Sequence, residues 1–297
     1  MSEIKNPAYK ALLPVWEGGE AAFTLDRKQA KRILGAPHRI APVDKSLPVH
    51  QRASTCSSLL GIYPHAISVG GVLGAGPERG DVAFGGWMMT AGVLMMLWSA
   101  ITIGFDEWFT WVGIMPVVCF FSIVALYFFR SGYLLPKDNP IVFNRKTREV
   151  TFSQIRFHRF WKFWSSPGFA SPITVPWESI QARSYKFTQY MGSTLRDSYR
   201  LELWAPAADD SKRLLVRESI GYLGSYEDEK LWQVYEHIRR YMEEDGPPIQ
   251  HGEELRKPRR GSDLPPFPDA VLATLGGPPL TDAEVERLAE ATPPQSH

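Results

Sequence analysis

Hydrophobic positions along this chain follow three rhythms, and each predicts a different kind of element. The first is continuous: Val82 to Phe105 gives 24 residues without Asp, Glu, Lys or Arg, and Trp108 to Phe129 gives 22, with only Asp106 and Glu107 between them. A bilayer core needs about 20 helical residues at ~1.5 Å each, so each run can span alone, and the two acidic residues mark the turn. Trp108 and Trp111 flank that turn, while Trp87, Tyr127 and Tyr133 lie toward the opposite interface. The competing reading is a buried core hairpin of a soluble protein. Gly85, Gly92 and Ser99 recur every seven residues and predict a helix face that the second span approaches closely. Pro116 predicts a kink. Neither span contains an ionisable residue, which favours an anchor hairpin over a transport pathway.

The second rhythm is short alternation. Pro140–Asn144 and Glu149–Ser153, joined by Arg-Lys-Thr-Arg, predict a β-hairpin. Further strands are expected at Ile173–Pro176, Ser179–Phe187, Tyr199–Trp204 and Lys212–Val216. Such spacing suggests a small curled antiparallel sheet or barrel. The third rhythm is helical: Leu231, Val234, Tyr235, Ile238 and Met242 form one stripe, with Ser225 as the expected cap and Gly246-Pro247-Pro248 as the stop. Residues 53–77 lack Asp, Glu, Lys and Arg but are rich in Gly and Ser. They read as a loop with one strand at Ile67–Val72, or alternatively as a third or re-entrant span.

The tail from Asp245 has ten prolines in 53 residues and reads as largely disordered. Within it, Thr281-Asp-Ala-Glu284 followed by Val285, Leu288 and Ala289 predicts a capping box and a short helix too marginal to form without a partner. The expected organisation is therefore an N-terminal region at 1–81, partly ordered, then spans at 82–105 and 108–129 around a periplasmic turn at 106–107. A β-rich domain with a terminal helix follows at 139–245, and then the Pro-rich tail at 246–297.

Average composition hides this division. The chain is 44% hydrophobic and its net charge is +1, so no global field draws it to nucleic acid. Locally the balance differs: residues 1–80 carry ten Lys/Arg against six Asp/Glu, and residues 130–170 carry eight against two. Basic flanks and an acidic turn predict both termini in the cytoplasm and an inner-membrane location. Two cysteines, Cys56 and Cys119, suggest neither a metal site nor a disulfide framework. The first twenty residues lack the apolar core of a cleaved signal peptide.

Recognisable chemistry is sparse. The histidines lack metal-ligand spacing, there is no nucleophile elbow, and the glycines at 70–80 lack the Lys-Ser/Thr ending of a phosphate loop. No catalytic residue, metal or cofactor is expected, although a convergent site leaves no mark in one sequence. One run stands out: Arg156-Phe-His-Arg159-Phe-Trp161-Lys162-Phe-Trp164. Its cations and rings suit an anionic membrane surface or a partner protein, with Arg156, Arg159, Trp161, Lys162 and Trp164 as the contacts. It could equally form a barrel wall, or stack on nucleic acid, although the nearest polyanion is the membrane and no nucleic acid is expected as a partner.

FNRKTREVTF after a two-span hairpin, VPWESI in the middle and WQVYEHIRRYMEE at the end resemble an uncharacterised proteobacterial family of two-span membrane proteins. The resemblance covers roughly residues 80–245. It implies a membrane α-helical hairpin plus an α+β cytoplasmic domain; for that domain ITVPWESIQARSYKF, then YRLELW and RLLV, followed by the helix, resemble a bacterial membrane-attached pleckstrin-homology-like barrel closed by its C-terminal helix. It also implies a place beside type VI secretion effectors. The expected function is thus a non-enzymatic immunity or accessory protein that binds a toxin or another secretion-system protein. The alternative is a membrane-tethered scaffold that binds lipid or protein; self-association into a homo-oligomer is open in either case.

Overall fold

Two antiparallel sheets and one long amphipathic helix enclose the main core of the computed structural model. It describes residues 11–17, 36–71, 78–105, 107–134, 138–156, 168–190, 194–210, 213–225, 228–256 and 267–295. One sheet has the order β1 (Arg39–Ile40), β7 (Gln181–Tyr190), β8 (Leu195–Pro206), β9 (Leu214–Ser225). The other runs β2 (Leu59–Ile62), β3 (Ala66–Val69), β4 (Ile141–Asn144), β5 (Glu149–Arg156), β6 (Gly168–Pro176). A bridge between Gly71 and Ile220 links β9 to the segment after β3. Leu201, Leu203 and Ala205 alternate inward along β8, as the period of a half-buried strand requires.

The chain divides into two compact units, and this division revises the expected order of domains. Met1–Ala75, Asp138–Ser153 and Ser171–His297 form the first unit; Gly76–Lys137 and Gln154–Ala170 form the second. The β-rich domain therefore does not begin at residue 139. It takes β1, β2 and β3 from the N-terminal region, and the apolar helices are inserted between β3 and β4. Those two strands pair in register from Ala66 with Asn144 to Val69 with Ile141. Sequence periodicity alone could not reveal this, because the pairing joins strands far apart in the chain.

Within residues 53–71 the strand expected at Ile67–Val72 is present as β3, and the expected loop holds a second strand, β2, paired with it in a hairpin in place of the alternative span. Ile67 and Val69 lie within the main core, against Ile141, Phe143, Val150 and Ile220. The rest of that stretch, 72–77, falls outside the described residues. The helix α3 (Glu229–Glu243) contacts β4, β8 and β9, and so packs on both sheets. Its predicted stripe is buried, together with Trp232 and Tyr241. Burying side chains of this size stabilises the fold by roughly 1.5–3 kcal/mol each. The cap differs from expectation: β9 runs to Ser225, and Asp228 precedes the first turn. Asp228 serves as a buried anchor for Arg39, whose Nε donates to it at 3.0 Å.

The tail departs most from its expected disorder. Here α4 (Asp269–Thr274) and α5 (Asp282–Ala291) form, and Val285 and Ala289 join the main core. The capping box is present, with the Thr281 N–H donating to Glu284 Oε2 at 2.8 Å. A short helix that is marginal in water is held here by apolar burial against its own chain. Polar ties add to this. Gln295 exchanges hydrogen bonds with the backbone of Ala53 at 3.1 and 2.6 Å, and Leu280 N–H donates to the Ile62 carbonyl at 2.8 Å.

The second unit contains α1 (Glu78–Ile103) and α2 (Met115–Phe129), with wider π-helical turns at Thr110–Ile114 and Arg130–Leu134. Two stretches, Ala83–Ile103 and Thr110–Leu134, are long and apolar enough to cross a membrane. Their large side chains face outward: Met95 is 72% exposed, Trp98 69% and Val112 67%. Gly104 ends α1 in the left-handed region, at φ +103°, and its carbonyl accepts from Thr110 Oγ1 at 2.8 Å. The π turn stops just before Pro116, which then sits in the first turn of α2, where its missing N–H costs least. The two helices meet at Gly85 and Gly86 of α1. A Cβ on Gly86 would lie 2.9 Å from Phe129, and one on Gly85 3.6 Å from Phe128. Gly92 faces open space and Ser99 is exposed, so the seven-residue stripe is not the contact face along its length.

Candidate functional site

The predicted basic and aromatic run is not brought together as a site. Arg156 ends β5, with only its backbone described, and Arg159, Trp161, Lys162 and Trp164 lie outside the described residues.

Inside the first unit, charged side chains are drawn inward and matched. Glu202, 1% exposed on β8, accepts from Arg200 at 2.7 Å, from Arg217 at 2.8 Å and from Trp204 Nε1 at 2.9 Å. The Arg183 guanidinium stacks on Trp204 at 4.4 Å. On α3, Glu236 accepts from Arg239 and Arg240, each at 2.7 Å, and from the Val49 N–H at 3.0 Å. Burial raises the Glu236 carboxyl, but these donors outweigh burial and hold it below its ordinary value. Burial also pulls the Lys45 ammonium down to about 8. Lys45 sits 4.6 Å over the Trp177 ring and donates to the Ile180 carbonyl. Glu236, Arg239 and Arg240 thereby pin the segment at residues 45–51 onto α3, while Lys45 ties it to Ile180 and Trp177.

A different arrangement lies beside α5. There the segment 252–256 and α5 form the walls of a cleft of about 540 Å³. Leu60, Leu255, Val285 and Ala289 supply its apolar surface, and among the described residues its rim carries Glu253, Glu254, Asp282, Glu286 and Glu290 against one cation, Arg256.

Each wall is built by identifiable contacts. Glu253 accepts from Ser54 Oγ at 2.5 Å, from Thr55 N at 2.9 Å and from Thr55 Oγ1 at 2.5 Å. This clamp holds the neighbouring Cys56 and Ser57 at φ +46° and +53°, a conformation costing about 1–2 kcal/mol per non-glycine residue. Burial raises the Cys56 thiol above its ordinary range, which argues against a reactive thiolate there. Arg256 donates to Asp138 at 3.0 Å and reaches the carbonyls of Ser57, Gly221 and Gly71 at 3.3, 3.4 and 3.5 Å. It thus ties together the two points where the chain leaves and rejoins the sheets around the apolar helices.

The opposite wall is unmatched. Among the described residues, the carboxylates of Asp282, Glu286 and Glu290 make no hydrogen bond or ion pair, and all three residues are exposed. They stand at i, i+4 and i+8 on α5, one row on one face. Like charges at that spacing destabilise a helix by a few tenths of a kcal/mol per pair. Sequence reasoning recognised this helix by its cap but not the cleft, whose second wall comes from residues some thirty positions earlier. No group of His, Cys, Asp and Glu among the described residues is arranged to hold a metal.

Residues 118–262 are similar to a family of unknown function (DUF6708). Neither the curated proteins nor the solved structures contain a match to the chain. The family similarity begins within α2 and runs through β4–β9 and α3, leaving β1–β3 and α5 outside it.

Proposed function

We propose that this protein is a membrane-tethered recognition protein of the bacterial inner membrane, whose two-sheet domain binds another protein and performs no chemistry of its own. The observation that carries this reading is the pairing of β3 with β4 on either side of the apolar helices. Strands in one ladder lie on one side of a bilayer, so the segment between them crosses an even number of times. Outward-facing apolar side chains on both helices support lipid as their surroundings. The basic flanks support the cytoplasm as the side that holds the domain. Strands followed by α3 support a pleckstrin-homology-like architecture for it.

The resemblance to families found beside type VI secretion effectors supports a toxin or accessory secretion protein as the partner, with immunity as the outcome of binding. Two measurements test the proposal. A reporter fused at residue 1 is active in the cytoplasm and silent in the periplasm. Co-expression with the toxin encoded nearby restores growth, and the two proteins co-purify from membranes. Partner capture without any toxin would point to the scaffold reading, and periplasmic reporter signal would overturn the topology.

A further inference from the structure

We infer that the cleft beside α5 is the recognition surface of the domain, and that its occupant is a basic, amphipathic segment of a partner polypeptide. This rests on the binding reading above and names the chemistry of the partner. Three features of the cleft converge. Its apolar surface, from Leu60, Leu255, Val285 and Ala289, asks for buried aliphatic or aromatic side chains. Its rim carries five carboxylates, of which Glu253 is held by Ser54 and Thr55, and among the described lining residues the one guanidinium is engaged by Asp138. A concave site lined by one sign of charge concentrates its field and draws in ligands of the opposite sign.

The third feature is spacing. Asp282, Glu286 and Glu290 form a row about 12 Å long, with one carboxylate per helical turn. Elsewhere in this unit, inward-facing carboxylates such as Glu202 and Glu236 have full sets of partners, whereas this row has none among the described residues. Glu290 also stands in the last turn of α5, where the helix dipole disfavours negative charge. A partner segment presenting Lys or Arg at one-turn spacing, with apolar residues between, would match the row and cover the apolar surface together. A metal ion or a small polyamine would satisfy the charges but leave that surface wet.

The full chain in a neutral detergent is titrated with a fluorescent peptide of alternating arginine and leucine. Saturable binding is expected, weakened about tenfold or more by Glu286→Gln with Glu290→Gln and weakened again by added salt. Thermal unfolding of that variant, whose changed residues are exposed, verifies that it remains folded. Equal affinity of the variant and the natural protein would overturn the proposal. So would equally tight binding of an arginine and serine peptide, or displacement of the first peptide by spermine at matched charge. The two levels separate cleanly. A partner captured equally well by the variant removes the cleft but leaves the tethered-binding reading intact. Charge-dependent binding in the cleft, with no partner and no rescue in cells, does the reverse.

Discussion

Val69 pairs with Ile141 across the sheet, although both apolar helices lie between them in the sequence. In chain order the helices stand where a β-turn would join two paired strands. The domain's own core holds the two ends together, with Ile67, Val69, Ile141 and Phe143 all buried.

Replacing residues 72–137 by a short Gly-Ser turn is therefore expected to release a folded, water-soluble domain. Its far-ultraviolet spectrum should be β-rich, and it should unfold cooperatively without detergent. Aggregation, or loss of the cooperative transition, would show that the helices contribute to the fold and are not only an insertion.

Arg256 is the clasp at this junction, and its loss should be felt as lost stability. Arg256→Ala leaves Asp138 buried without its cation and is expected to cost about 3 kcal/mol in urea unfolding. Arg256→Lys keeps the charge but not the fork that reaches several carbonyls, so it should fall between. Gly70→Ala should destabilise in the same direction but by less than Arg256→Ala, because its Cβ would come 2.3 Å from the Arg256 guanidinium and displace it while the charge stays beside Asp138.

His237 gives the fold an acid-sensitive component. Burial lowers its imidazole to about 4, and its ring is held between the Pro248 carbonyl at 3.2 Å and Gln250 Nε2 at 2.9 Å. Between pH 6.5 and 4 the unfolded chain binds a proton that the folded chain refuses. The stability due to His237 is thus complete above pH 6.5 and lost as pH falls through that window. The loss is at most about 3 kcal/mol by pH 4, at ~1.4 kcal/mol per unit. Unfolding curves from pH 7.5 to 4 for the natural protein and His237→Gln would reveal it as the difference between the two.

Glu218 works in the opposite direction. Burial raises its carboxyl to about 7, against a hydrogen bond from Asn139 that lowers it, with the Glu202 charge adding to the rise. Its neutral form is the one the fold favours, so its contribution is complete below pH 4.5 and is lost as pH rises through 7. Glu218→Gln should therefore be more stable than the natural protein at pH 8, by about 2 kcal/mol, and equal to it at pH 4. A variant less stable than the natural protein at both pH values would show that the carboxylate is needed.

The parts legible in the sequence are those whose signals are local. The two apolar stretches, the hairpin at 140–153, the stripe of α3 and the capping box at Thr281 each depend on residues within one or two turns of each other. Ser225 does not cap α3 because β9 runs to it, and a strand ladder overrides a capping preference. The tail was misjudged because proline content describes a chain in water, whereas Ile249, Val285 and Ala289 are buried against distant residues.

By itself, the sequence determined which segments are too apolar for water, where charge gathers beside them and which runs favour strand or helix. These follow from periodicity and solvation along the chain. Only the tertiary structure decided that β3 pairs with β4 across the inserted apolar segment, that the tail helix folds onto the core, and that an unmatched acidic row lines an apolar cleft. Those features depend on contacts between residues tens to hundreds of positions apart, where the free energy of burial outweighs local preference.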